Sequence, residues 1–349
     1  MLQQNEVVWL TAPLAASGPV DHNQLTGQTT DKESEMKRRD ALKIMGAASL
    51  ISRGSLAFAD ERPKGKWKTS FGLNGFASSS KKYGKNYPLW EVLDFAAQKG
   101  FDGIELHASW PMGAYPTSSQ AKRIASLKRL YDAYGLQIFS IQTSAGGAFS
   151  PAAADRQKWL DEFRDHARFA KAVGCDCIGT WPGGGLRGQT FSEAVQHLGR
   201  SFREATNIAS DLGLVLAFEI EPVFIFNTEE HLQQILEQAN HPALKTIYDP
   251  SHFDLMNGST GKPHEMLKRI GVENIGYIHF TDTDGARRDN GTSKHLPCGD
   301  GHIDVEGSFR TLWDGGFRGW LNIDAWQIPD PYDACLKAKQ AIDRFLARA

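Results

Sequence analysis

The sequence predicts an α/β protein whose residues 60–349 form a single closed (β/α)8 barrel. Three observations lead there. Short β-prone runs alternate eight times with longer helix-like segments from Thr69 onward, several of the helices exit through a glycine, and the strands are short and mostly apolar. Eight such units suit the closed barrel, which typically takes about 250 residues. Helices on the outside and side chains on the inside cover both faces of such strands, so they read as near-continuous apolar runs. A doubly wound open sheet is the rival architecture, but no nucleotide-binding fingerprint marks the switch point it would need.

In order, TSFGLNG (69–75) precedes the apolar-periodic 88–99, GIELH (103–107) precedes 118–134, and LQIFSIQT (136–143) precedes 153–173. DCIGTW (176–181) is followed by 190–211, LVLAFEI (214–220) by 228–239, and LKTIYD (244–249) by 263–270. IGYIHF (275–280) comes before 304–314, and WLNIDAW (320–326) before 331–347. Spacing supports the helices: Trp159, Phe163, Ala167 and Ala170 share one face, as do Cys335, Ala338, Ile342 and Phe345. Gly100, Gly135, Gly174 and Gly213 mark helix exits. PGGGLRG (182–188) follows a strand but lacks the Gly-Lys-Ser/Thr ending of a phosphate loop, and reads as a plain turn.

The rest of the composition narrows the partners. With 39 basic and 41 acidic residues the net charge is -2, so no global field draws the chain to nucleic acid or anionic lipid. Small molecules are the expected partners, and a homo-oligomer is compatible with the composition. Four cysteines are too few for a disulfide scaffold and lack the spacing of a structural zinc site; they read as small core residues. Residues 1–35 lack amphipathic periodicity and read as a disordered or upstream extension. Residues 36–59 place Arg38 and Arg39 before a mildly apolar stretch that ends Ala57-Phe58-Ala59. This is the form of a twin-arginine export signal, with a periplasmic destination. Arg53 interrupts the stretch, and an amphipathic surface helix in a cytoplasmic protein is the alternative. No run reaches the roughly 18 apolar residues of a membrane span.

In a (β/α)8 barrel the reactive groups lie at the carboxyl ends of the strands. Four successive strands end in metal-ligand types: Glu219 in LAFEIEP, Asp249 in IYDPSH, His279 in YIHFTD and Asp324 in LNIDAW. Taken singly, each carboxylate could cap the next helix and the histidine could be a satisfied core residue. Three uncompensated carboxylates at one barrel mouth repel each other, and a divalent cation removes that difficulty. A mostly oxygen set with one imidazole suits Mn²⁺ or Mg²⁺, with Co²⁺ or Zn²⁺ as alternatives.

The segments GFDGIELH, LAFEIEP, YDPSHFDLMNG, YIHFTDTDG and PCGDGHIDVEGSFRTLWDGGFRGWLNIDAW resemble the xylose-isomerase-like TIM-barrel family of sugar isomerases and epimerases. The resemblance runs from about Thr69 to the C-terminus. It implies Glu219, Asp249, His279 and Asp324 as metal ligands, with Glu219 and Asp324 also moving protons, and His252 in the D-x-x-H pattern as a substrate-binding residue. It further implies that the glycines of GDGHID (299–304) let the backbone approach the site. Asp324 departs from the family's glutamate, and the lost methylene shortens its reach as a base. Glu221, on the same strand face as Glu219, is a candidate to supply the missing carboxylate. Glu105 and His107 are further candidates for sugar hydroxyls, with a structural Glu105 as the alternative. His295 and Arg287 lie in a long loop after His279 that could cover the mouth, Arg287 reading as solvated; Trp110, Trp181 and Trp326 are candidates for an apolar sugar-facing wall.

The leading expectation is therefore a metal-dependent carbohydrate isomerase or epimerase working through an enediolate. Its runner-up is a metal-dependent lyase that splits 3-keto-glycosides by β-elimination. An abasic-site endonuclease would need more metal ligands, notably an acidic residue where Ser293 and Lys294 stand before His295, and would gain nothing from the charge of -2. A non-catalytic sugar-binding barrel is the remaining class.

Overall fold

A computed structural model of the chain describes residues 66–107, 113–143 and 146–349. The extension at 1–35, the export signal at 36–59 and Trp110 lie outside the described residues. Eight parallel strands close in sequential order: β1 (Lys68–Gly72), β2 (Gly103–His107), β3 (Gln137–Gln142), β4 (Cys177–Thr180), β5 (Val215–Phe218), β6 (Lys245–Tyr248), β7 (Ile275–Phe280) and β8 (Trp320–Ile323), with β8 returning to β1. The expected barrel is thus present, and the helices predicted at 153–173 and 263–270 match the observed α4 (Ala153–Val173) and α8 (Pro263–Ile270) to the residue. The others are α2 (Leu89–Gln98), α3 (Ala121–Ala133), α5 (Phe191–Asp211), α6 (Glu229–Ala239), α9 (Val305–Asp314) and α10 (Pro331–Leu346).

Two helices were not expected. α1 (Leu73–Tyr83) is serine- and lysine-rich and keeps only Leu73, Gly75, Phe76 and Ser79 buried, too sparse a pattern to stand out in the sequence. α7 (Pro250–Met256) is a two-turn helix directly after β6, with Pro250 in its first turn and Asp249 as its N-cap.

The barrel interior is divided along its axis. Toward the amino ends of the strands, Phe139, Cys177, Ala217, Ile247, Tyr277 and Trp320 form an apolar plug, with Phe139 stacked on Trp320 at 4.5 Å between centroids. Period-two alternation then places Tyr277 and His279 of β7 inward while Ile278 and Phe280 join the outer core shared with the helices. Gly179 is required at one point of this interior, because a Cβ there would collide with the Tyr277 hydroxyl and the Gln142 amide.

The segment between β7 and α9 is anchored at its ends by the Asp282 carboxylate. Asp282 is 1 % exposed and accepts four backbone N–H bonds: from Thr283 (2.8 Å) and Ile303 (3.1 Å) at Oδ1, and from Gly299 (2.9 Å) and Gly301 (3.2 Å) at Oδ2. A Cβ at Gly301 would overlap the Asp282 carboxylate. Of the two glycines of GDGHID, Gly301 thus serves a close approach, to Asp282 rather than to the site the resemblance implied, whereas a Cβ at Gly299 would meet nothing and its positive φ of 91° is what favours glycine. Asp254 of α7 adds a second tie, accepting from Gly261 N–H and bonding His302 Nε2, both at 2.7 Å. No described helix is long and apolar enough to cross a membrane.

Candidate functional site

Above the apolar plug, His279 sits at the end of β7 with both ring nitrogens engaged. Nδ1 lies 2.9 Å from Glu219 Oε1, just beyond β5, and Nε2 lies 2.9 Å from Glu105 Oε2 of β2. Glu105 is held in turn by the Asn322 amide at 3.1 Å, and Asn322 by the Ser70 hydroxyl at 3.0 Å. The Trp181 indole N–H donates to Glu219 Oε2 at 2.8 Å. Glu105, His279 and Asn322 lie within β2, β7 and β8, and Glu219 one residue beyond β5, so the closed barrel brings them together across its interior.

A second layer comes from β6, β8 and the β7–α9 segment. Asp249 Oδ1 caps α7 by accepting the N–H groups of Ser251 and His252, while its Oδ2 is buried with no hydrogen-bond partner. The two readings of a strand-end carboxylate, cap and ligand, therefore coexist, one on each oxygen. His252 Nε2 lies 3.7 Å from Asp249 Oδ2, 3.9 Å from Glu219 Oε1 and 3.9 Å from Glu221 Oε2. His295 is brought over the mouth and buried, its Nδ1 3.7 Å from Asp324 Oδ2; neither ring nitrogen has a hydrogen-bond partner. Asp324 Oδ1 accepts from Trp326 N–H at 3.0 Å, and Glu221 Oε2 from the Thr292 hydroxyl at 2.7 Å.

Burial dominates the electrostatics. It pushes Asp324 up to about 8, helped by Asp249, Glu219 and Glu105 and opposed by His279. Burial likewise raises Asp249 and Glu221 to about 7 each. His279 behaves oppositely: burial would lower it, but Glu219 and Glu105 hold it well above the ordinary imidazole value. Glu219, also penalised by burial, is kept below the usual carboxylate range by His279. His295 falls well below its ordinary value through burial, with His252 and Arg288 adding to the effect.

These side chains fit a divalent cation. Asp249, His252 and His295 offer ligand atoms all within 4.8 Å of one another, and the partnerless Asp249 Oδ2 and His295 nitrogens are the buried polar atoms such an ion would satisfy. The strand-end set is engaged differently, both His279 nitrogens being spent on carboxylates, Nδ1 on Glu219 and Nε2 on Glu105. For Glu219 and His279 to serve as ligands, the 2.9 Å contact between Glu219 Oε1 and His279 Nδ1 would have to give way to the ion. Asp249 belongs to both groups.

The metal-free protein should reveal the carboxylates' burden through its stability. Asp249 and Asp324 bind protons more tightly folded than unfolded, where the reference value is 3.8. Their contribution is therefore greatest at acid pH and is lost as pH rises from about 4 to about 8. The raised His279 and Glu221 act in the same direction, the lowered Glu219 loses its contribution only at the acid end, and the lowered His295 opposes the trend only below its ordinary value of 6.5. Thermal melts of chelator-treated protein between about pH 6.5 and 8 are expected to show a falling Tm that saturating Mn²⁺ abolishes. A Tm climbing with pH in the stripped protein would contradict this account.

Residues 93–346 match the model of the xylose isomerase-like TIM barrel family. The chain belongs to this family. An inosose dehydratase of Erwinia tasmaniensis is 25 % identical over 289 residues, covering 74 % of this chain and 90 % of that protein. An L-ribulose-5-phosphate 3-epimerase, UlaE, of Shigella boydii is 24 % identical over 266 residues with the same coverage of each chain. The crystal structure of IOLI protein with a bound zinc atom superposes with a TM-score of 0.61 at 19 % identity, over 80 % of this chain and 95 % of that one. The expectation of an enzyme is met, since the relatives aligned along the barrel are named as a dehydratase and an epimerase.

Within this xylose isomerase-like barrel, Glu105, Glu219, Glu221, Asp249, His252, His279, His295 and Asp324 form one continuous cluster. Glu105 occupies the structural alternative, spending Oε2 on His279 and Asn322, although its Oε1 has no hydrogen-bond partner. His107 ends β2 half-buried beside the cluster, burial lowering its pKa against the pull of Glu105. Trp181 serves Glu219 as a donor, and Trp326 faces His295 at 6.0 Å between rings. Arg287 stays exposed, bonding the Gly291 carbonyl at 3.0 Å. Ser251, Thr292 and Ser293 are site residues that sequence reasoning missed as partners of the cluster. Only their nearness to Asp249 and His295 in the chain hinted at it.

Proposed function

We propose that this chain is a divalent-metal-dependent carbohydrate isomerase or epimerase that removes the proton next to a carbonyl. The observation that carries the reading is the convergence of Glu219, Asp249, His279 and Asp324 on one buried mouth, with Asp249 Oδ2 left without a partner. These four would hold the ion, Mn²⁺ or Mg²⁺ before Co²⁺ or Zn²⁺, with Asp249, His252 and His295 as the alternative grouping. When bound, the ion supplies Lewis-acid polarisation of the carbonyl and stabilises negative charge on its oxygen.

The protein's own groups then divide the proton work. Glu219 is fixed by Trp181 and His279 and stays ionised, which suits a base. Asp324 and Glu221, raised toward neutrality by burial, suit the group that returns a proton. Carboxylates pushed apart in this way are the mark of an acid–base pair. His252 and His295 would meet the sugar hydroxyls, and the β7–α9 segment, which buries His295, would keep water from the reacting groups. The export signal read at 36–59 favours an unphosphorylated substrate and a periplasmic site of action.

Asp324 favours a second reading. Its shorter side chain weakens two-base catalysis but not a single abstraction followed by loss of a leaving group, and elimination is the chemistry named for the inosose dehydratase relative. Stripped protein, with and without added Mn²⁺, should be incubated with free ketoses and with 3-keto-glycosides. Metal-dependent ketose interconversion is the expected result. Aglycone release with no interconversion would transfer the assignment to the lyase, and turnover of neither would leave a sugar-binding barrel.

A further inference from the structure

Proton counting along two buried serines gives the His252 ring a direction. Asp249 Oδ1 accepts the Ser251 N–H at 2.7 Å, the His252 N–H at 3.3 Å and the Ser251 hydroxyl at 2.7 Å. Oδ1 already serves as acceptor to two backbone donors, so the Ser251 hydroxyl must donate in the third contact; the reverse would set lone pairs face to face. A serine hydroxyl has one proton to give. Ser251 has spent its own, yet its oxygen lies 2.9 Å from Ser293 Oγ, so Ser293 is the donor there. The Ser293 oxygen also touches His252 Nδ1. With its proton committed to Ser251, Ser293 can only accept from that nitrogen. Asp249, Ser251 and Ser293 are fully buried and His252 is 3 % exposed, which leaves water little access to the chain.

We infer that Ser251 and Ser293 are positioning residues that hold His252 as its Nδ1–H tautomer, presenting Nε2 to the site as a bare acceptor for a substrate hydroxyl. The surroundings of Nε2 supply it no hydrogen-bond partner of their own. Its neighbours are carboxylate oxygens of Asp249, Glu219 and Glu221 at 3.7–3.9 Å, none of them close enough to be a hydrogen-bond partner. These carboxylates favour a proton-bearing group at Nε2, and with the ring's own proton on Nδ1 that group has to be brought in. A polyhydroxylated substrate brings donors, and a hydroxyl replaced by hydrogen or by a carbonyl would lose the contact. The hydroxyl assignment rests on the carbohydrate reading of the site, whereas the tautomer does not.

The test uses full-length protein labelled with ¹⁵N-histidine, stripped of metal, at a pH where the ring is neutral. Two-bond ¹H–¹⁵N correlation distinguishes bare from protonated ring nitrogens, and a His252→Asn variant identifies the relevant signals among 11 histidines. Wild-type His252 is expected to be protonated at Nδ1 and bare at Nε2. Ser293→Ala should lower the preference for that tautomer by about tenfold, the worth of one good hydrogen bond, and Ser293→Thr, which keeps the hydroxyl, should restore it. A wild-type ring bare at Nδ1, a ring protonated on both nitrogens throughout, or an unchanged tautomer in folded Ser293→Ala would each overturn the relay. Should Ser293→Ala fail to fold, the wild-type spectrum still decides. On an active substrate, Ser293→Ala is expected to raise KM more than it lowers kcat. A confirmed tautomer without turnover would sink only the proposed function.

Discussion

Asp249→Asn is expected to abolish divalent-metal binding while leaving the barrel folded. The substitution separates the two oxygens of this side chain. Asparagine keeps one carbonyl oxygen, enough to accept the three bonds that Oδ1 takes from Ser251 and His252 and so to cap α7. The amide nitrogen falls where Oδ2 now stands without a partner, and it presents protons where a cation needs a lone pair. Asp249 is also the member shared by the strand-end ligands and the Asp249–His252–His295 grouping, so neither survives. Outer-shell changes at metal sites typically cost 10–100-fold in affinity, so loss of a ligand should exceed about 100-fold. If the ion contributes several kcal/mol to the transition state, turnover falls by about 1,000-fold or more. Metal content by elemental analysis, a competition titration and a thermal melt decide the matter together. Because burial raises Asp249 to about 7, the metal-free variant should melt no lower than metal-free wild type at pH 8. Undiminished stoichiometric binding would remove Asp249 from the ligand set. His279→Gln and His295→Gln then distinguish the groupings, since only one of the two histidines belongs to each.

The parts of this molecule that were legible in its sequence are those whose cause is local. GIELH and IGYIHF match their strands to the residue, because a short β-branched or aromatic run between turns has few other uses. Glu219, Asp249, His279 and Asp324 stood out because a parallel barrel aims its strand ends at one mouth, so position along the chain carries positional information in space. What escaped notice depends on partners remote in sequence. α7 is masked as the tail of a strand because its helix begins within one residue of β6. The role of Glu105 is fixed by Asn322 and His279, 217 and 174 residues away. Ser293 looked like the absence of an acidic ligand, and its contact with His252 appears only when the β7–α9 segment is folded down. Arg287 was legible as solvated for the opposite reason, having no apolar neighbours in sequence to bury it.

Asp282 lies behind that folding down, and its replacement is expected to be the most destabilising single change near the site. Its two oxygens accept four N–H groups from Thr283, Gly299, Gly301 and Ile303, so one side chain ties both ends of the segment that delivers Thr292, Ser293 and His295. Asp282→Ala leaves four donors without acceptors. At about 1–3 kcal/mol for each orphaned group, discounted because the segment can partly relax into water, a loss of about 3–5 kcal/mol is expected. In a barrel of this size that corresponds to a drop in Tm of roughly 10 °C. Asp282→Asn is the sharper experiment. An amide replaces one of the oxygens, turning two acceptances into N–H against N–H contacts, so asparagine should behave nearly as badly as alanine despite its matching shape. Glutamate would restore the charge but cannot fit where Gly301 already touches the carboxylate. Limited proteolysis distinguishes local from global failure: cleavage within 281–304 at temperatures where the barrel remains folded would show that the segment is released on its own. Asp282→Asn with wild-type melting and wild-type protection of that segment would mean that the four hydrogen bonds are not what holds the site closed. The placement of His295, Ser293 and Thr292 would then have to come from packing against Trp326, His252 and Glu221 instead.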